Sequence, residues 1–400
     1  DYEPDAGELR IINRHHHLYL DEAVSMDWSL PEMKKTPSGD ISVPHLAPGD
    51  TAKLTLALPA GAQGRLHVSC RVLPGLSCRE AFAGEQTAYE DFTLSAYKSV
   101  LDGPAKGKLT MKEDSGRLVV SAGKSVMVWS LPDGRPETWN LGGRAVLQKG
   151  GSPALCVFRA PTSNDKGFGG WLADDWEREG LDRLDEGAAE FRWEQTSPSE
   201  GRISVRRSYS SRNGRLDVRA EYTVKADGRL DCSYSVIPSG NLPPLPRVGV
   251  AFVLDKAWEK VKWYGRGPWE NYIDRADCAP EGLWQSTVCE LYTAYPVPQE
   301  NGHRSGVYFL EFSTRDGAHS VRIETRGGPF GFNALHYSLE DLSRARHSHE
   351  LAPREDVYVN LDAAHMGLGN SSCGPGVLDK YSLHPGADGA YHLDFTITAK

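Results

Sequence analysis

The residues of this sequence that could do chemistry sit in a few short blocks. Residues 263–275 gather Arg266, Glu270, Asn271 and Asp274 among two glycines, a proline and several aromatic rings. Gly and Pro interrupt the block and Pro268 removes a backbone donor, so it reads as a loop rather than a strand or helix. Its charged and amide groups have two uses. They can contact a polar ligand, or they can satisfy buried loop backbone through charge-assisted hydrogen bonds. The second use is the expectation, here and for Gln299, Glu300, Asn301 and Gly302. His15, His16 and His17 suggest a metal site, but successive strand residues point to opposite faces, so three neighbours cannot converge on one ion. An exposed strand segment is expected there. Seven cysteines are scattered without metal spacing, which favours free thiols, and Cys70 and Cys78 are the only close pair. No glycine-rich phosphate loop, Ser/His/Asp arrangement or His/Cys metal cluster stands out.

The elements that must hold these groups are strands. A chain of 400 residues favours two domains. Its 39% hydrophobic and 25% charged residues suit an ordinary globular protein. A net charge of −9 and the lack of a basic stripe argue against nucleic acid or an anionic membrane as partner. The start at Asp1 carries no charged-then-apolar leader and no run is long enough to span a membrane, so a processed or excised segment is expected and the compartment is not readable. Up to about residue 92, short strand patterns alternate with Pro-Gly breakers, which predicts an immunoglobulin- or fibronectin-III-like β-sandwich over residues 1–94. Residues 95–108 read as a linker. Residues 109–400 read as one large antiparallel β domain. Its clearest part is a meander, in which Leu216, Val218, Ala220, Tyr222 and Val224 alternate with polar residues between Asn213-Gly214 and Asp227-Gly228 turns. Two helical pieces are expected, at 171–184 and 339–345.

The block at 263–275, with Tyr-Gly-Arg-Gly-Pro-Trp-Glu-Asn-Tyr at its centre, resembles a signature segment of the family-2 β-galactosidases. The resemblance continues through residues 292–302, 332–337 and 365–369, and upstream through 158–167. It implies an all-β chain made of an immunoglobulin-like domain followed by a galactose-mutarotase-like supersandwich, the C-terminal part of such an enzyme. The family's two catalytic glutamates lie on a (β/α)8 barrel whose alternating pattern is absent from this sequence, so no catalytic residue is expected here. The resemblance implies a partner in the rest of the β-galactosidase chain or a large subunit, an oligomeric parent, and a galactoside bound at a site shared with the missing domain. It implies no cofactor held by this chain, since the Mg and Na of the family sit on other domains. It also implies a lid over the sugar formed by Asn164, Asp165, Gly167 and Phe168, hinging at Gly167, although an ordinary tight turn fits these residues too. Cys373 stands nearest a Trp that in the family stacks on the aglycone sugar, and a thiol offers no such face. Two alternatives remain: a stand-alone carbohydrate-binding or assembly module, and an aldose mutarotase-like epimerase using His336 with Glu300 or Glu340 as acid and base.

Overall fold

The computed structural model describes residues 1–31, 36–76, 83–99, 101, 103, 105–167, 172–369 and 376–400. Cys78, Phe168 and Cys373 lie outside the described residues. The chain divides into two compact units, Asp1–Lys98 with Pro280–Leu283, and Ser99–Ala279 with Trp284–Lys400.

The first unit holds two small antiparallel sheets. One pairs Tyr2–Glu3, Glu8–Ile12 and Thr51–Thr55. The other runs Ser38–Ile41, Val24–Ser29, Arg65–Val72, Gln86–Thr93. Val24, Met26 and Trp28 alternate inward and pack with Leu9, Leu30 and Leu66. Gly39 lies against the Trp28 indole, where a Cβ would come within 2.9 Å of Nε1. The three histidines are exposed as expected, but none lies in a strand, and His16 and His17 fall in a bend. The cause is Asn13, fully buried, whose amide donates to the carbonyls of Leu18 and Leu46 while its oxygen accepts from the His15 N–H. These side-chain bonds end the strand at Ile12 and are followed by a short helix, Leu20–Ala23, that the sequence reading omits.

The second unit is nearly all β, and its described strand pairings are antiparallel. A ten-stranded sheet contains the meander Glu200–Ser210, Gly214–Lys225, Leu230–Gly240. Its middle strand turns Leu216, Ala220, Tyr222 and Val224 inward, and Tyr222 and Tyr234 share a buried hydrogen bond of 2.7 Å between their hydroxyls. A five-stranded sheet orders Ala154–Cys156, Arg247–Leu254, Val357–His365, Phe330–Leu335, Arg304–Val307. Val357, Val359 and Leu361 of this sheet join the main apolar core. Alternation therefore turns Asn360 and Asp362 to its other face, which is the face that carries the site. The helix expected at 171–184 spans Leu172–Glu179. Gly180, at φ +77°, takes the left-handed conformation and stops it, and the Gly180 and Leu181 N–H groups both close on the Trp176 carbonyl. The helix Leu339–Arg344 starts at a capping box formed by Ser338 and Asp341.

Candidate functional site: a buried ion network and a clamped loop pair

Arg247 is fully buried, so its charge requires partners. Its Nε and Nη2 donate to the two oxygens of Asp362 at 2.9 and 2.5 Å, Nη2 also donates to Asn333 Oδ1 at 2.6 Å, and Nη1 to Glu300 Oε2 at 3.4 Å. Asn333 returns a bond to Glu300 Oε1 at 2.8 Å. Backbone geometry makes the network possible. Gly249 and Gly331 both stand opposite Asp362 in the sheet, and a Cβ on Gly249 would come 2.6 Å from Asp362 Oδ1 while one on Gly331 would come 2.3 Å from His303 Cε1. Strict alternation would put Asp362 and His365 on opposite faces. A bulge leaves Ala363 without a counterpart, and His365 stands opposite Arg247 on the side of the network.

His303, Asp362 and His365 place one ligand atom each within 4.8 Å of one another, a grouping that could hold a metal ion. Both Asp362 oxygens are engaged by Arg247, whose guanidinium already stands where a cation's charge would be. The donor set thus fits an internal ion pair better than a metal. Burial alone would raise the Asp362 carboxyl, but Arg247 and His303 outweigh it and hold it down at about 2. Burial, then His303 and Arg247, push the His365 imidazole well below its usual value. His365 Nδ1 donates to the Met366 carbonyl at 2.8 Å, which leaves Nε2 as a buried acceptor, 3.7 Å from Glu300 Oε1.

This depression sets a pH dependence. A group whose folded pKa lies below its unfolded value stabilises the fold fully above the unfolded value, and that contribution is lost as pH falls below about 6.5. Urea unfolding between neutral and mildly acidic pH should therefore show a loss of up to about 1.4 kcal/mol per pH unit from this one proton. His365→Gln should flatten that slope. An unchanged slope in the variant would mean His365 is not the group being protonated.

A second buried ion pair joins two loops. Arg159, fully buried, donates through Nε and Nη2 to the Asp165 oxygens at 3.1 and 2.7 Å. The same guanidinium donates to the carbonyls of Met366 and Gly367. Asp165 also accepts the Thr162 N–H, and Asn164 Nδ2 donates to the Leu368 carbonyl at 2.9 Å. From the other side, Asp274 accepts the N–H groups of Leu368 and Gly369 at 2.9 and 2.8 Å. A Cβ on Gly367 would come 2.7 Å from the Asp274 carboxyl carbon. Residues 366–369 are thus gripped between Arg159 and Asp274. Asp165 is buried at the grip, Asn164 is exposed beside it, and Gly167 donates to the Asn164 carbonyl.

The block at 263–275 serves mainly its own backbone and its neighbours. Arg266 donates to the carbonyls of Ala276 and Ala279. Glu270 accepts from Arg275, from Tyr295 and from the Gly302 N–H. Buried Asn271 accepts from the N–H and hydroxyl of Ser305. His336 Nε2 meets Glu259 at 3.1 Å. Glu300 is already engaged by Arg247 and Asn333, and exposed Glu340 pairs with Arg344. Sequence reasoning missed Arg247, His303, Asn333 and Asp362. One signal was available: Asn360, Asp362 and the terminal His365 are the polar interruptions of a strand otherwise built of Val, Tyr, Leu and Ala.

Comparison with known proteins adds identity to this geometry. Residues 121–397 match the family described as the β-galactosidase small chain. A β-galactosidase of Vibrio cholerae is 32% identical over 339 residues, covering 81% of this chain and 31% of that protein. One from an Arthrobacter species is 30% identical over 371 residues, covering 86% of this chain and 34% of that protein. A putative aldose 1-epimerase from Escherichia coli K12 overlaps 73% of this chain and 99% of its own length, at a TM-score of 0.38 and 12% identity, too low to bear on this chain's function. The chain spans about a third of the length of the curated relatives it matches. The match at 121–397 covers most of the sequence, and the chain belongs to the β-galactosidase small-chain family.

Proposed function

We propose that this chain is the non-catalytic C-terminal part of a family-2 β-galactosidase, providing support and a lid loop for a galactoside site whose catalytic glutamates lie on another segment of the enzyme. The observation that carries this reading is the Arg159–Asp165 clamp. By resemblance, Asn164, Asp165, Gly167 and Phe168 belong to the lid and Cys373 to the rim of the aglycone subsite. The clamp ties the base of the first segment to residues 366–369, which lead toward Cys373. A base held by a buried ion pair, with Gly167 just beyond it, suits a hinge. Among the described residues the α-helices are Leu20–Ala23, Leu172–Glu179 and Leu339–Arg344, far short of the eight that a (β/α)8 barrel needs.

Gly167→Ala tests the lid. The substitution penalises whichever loop arrangement Ala fits less well, by about 1 kcal/mol. In the full-length enzyme a shift of that size should change galactose-analogue affinity and kcat severalfold. In this chain alone the melting temperature should barely move, because a surface loop adds little to the core. A strongly destabilised chain together with unchanged affinity in the full enzyme would make Gly167 a structural turn and defeat the lid assignment.

A further inference from the structure

The polar face of the five-stranded sheet carries a cavity of about 350 Å³ that borders the ion network at Glu300 and Asn333 and lies apart from the clamp residues. Its floor includes Ala251, Asn360 and Asn333, which stand in one row across three adjacent strands. The rings of Tyr337 and Tyr358 line it, and Glu300 closes one part of it. Gly151 lets the preceding loop approach, since a Cβ there would come 2.7 Å from the Val253 carbonyl oxygen. Asn360 is 7% exposed, yet its Oδ1 finds no donor among the described residues. A buried acceptor left unpaired costs free energy, and native structures keep such groups where something else satisfies them.

We infer that this cavity binds a neutral, single-ring polyhydroxylated molecule of monosaccharide size. Three features select that chemistry. First, Asn360 requires a hydroxyl or amine donor, and Glu300 beside it is an acceptor. Second, among the described residues no Lys, Arg or His lines the cavity, so a phosphate or carboxylate would be desolvated without a counter-charge. Two carboxylates line the cavity: the Glu300 charge is already met by Arg247 and that of Glu340 by Arg344, which weakens the pull for a cationic ligand. Third, the two tyrosines and Leu335, Leu339 and Val253 offer apolar surface suited to the C–H faces of a sugar ring. The volume lies in the range of small-ligand pockets. Because the cavity is distinct from the lid loop, this inference stands whether or not the lid assignment does.

The probes are D-galactose, D-glucose and lactose, titrated into the purified chain by ligand-observed NMR. Saturable binding of at least one is expected, weakened at least tenfold by Asn360→Leu, which keeps the side-chain size and removes the acceptor. Tyr337→Ala should weaken the same sugar, which covers the case in which Asn360→Leu folds poorly. An unchanged or raised melting temperature in Asn360→Leu with binding lost supports the site, since the unpaired acceptor is then gone. Tighter binding of lactose than of galactose supports it with the end of a glycan chain as ligand, and the reverse supports it with a free sugar. No saturable binding up to the solubility limit of the three sugars, or equal affinity in wild type and both variants, overturns the inference.

Discussion

Replacing Arg247 with Met should destabilise this chain by about 3–5 kcal/mol, because it leaves buried carboxylates without their cation. Asp362 is 1% exposed and Glu300 2%, and Arg247 is the cation that both of them meet in the network. Loss of packing contributes little, since Met follows much of the aliphatic path of the Arg side chain. The pH response is the sharper reading. In the native chain Asp362 is held at about 2, so its contribution is fully present above about pH 4 and is lost as pH falls through 2. Without Arg247 the buried carboxyl titrates above its unfolded value, and the sign reverses: the variant should gain stability relative to wild type on acidification. Urea unfolding of both proteins across the acid range measures it. A constant difference at every pH would mean that Asp362 stays charged by other means and that the network is not organised around Arg247.

Arg159→Leu should be nearly as damaging, at about 3–5 kcal/mol for breaking a buried pair from one side. The deletion orphans Asp165 and three hydrogen bonds to the carbonyls of Met366 and Gly367. Removing Asp165 as well, in Arg159→Leu with Asp165→Leu, should recover part of the loss, because no unpaired charge then remains, and the Asp165→Leu single variant completes the cycle that gives the coupling energy of the pair. Hydrogen exchange gives the local reading: the N–H groups of Leu368 and Gly369, which Asp274 holds, should exchange faster once Arg159 lets their segment move. Unchanged exchange there would mean that Asp274 alone fixes residues 366–369 and that the two loops are not joined through Arg159.

What was readable in the sequence follows the range of the interactions. The meander shows itself because its signals are local: a period-2 strand from Leu216 to Val224 and Gly-containing turns at Asn213-Gly214 and Asp227-Gly228. The helix start at Ser338 is equally local, with its capping partner three residues on. The ion network is not. Arg247 and Asp362 are 115 positions apart, and His365 joins them only because a bulge, which no pattern of residue types announces, leaves Ala363 without a counterpart. His336 shows the same limit, since its partner Glu259 lies 77 positions away. The loop around Asn164 and Asp165 is legible only through the resemblance of the block at 158–167 to its family counterpart. That block contains both halves of the clamp, yet the carbonyls that Arg159 holds lie more than 200 positions on.

The central claim, a supporting part that works only with the rest of a β-galactosidase, is tested most directly by one assay. Hydrolysis of nitrophenyl β-galactoside would be measured for this chain alone and after reconstitution with the remaining segment of the enzyme, produced separately. A retaining glycosidase needs both of its carboxylates, so the chain alone should give no turnover, and activity should appear only in the reconstituted complex. Turnover by the chain alone that co-purifies with it through successive columns and is absent from host controls would contradict the account.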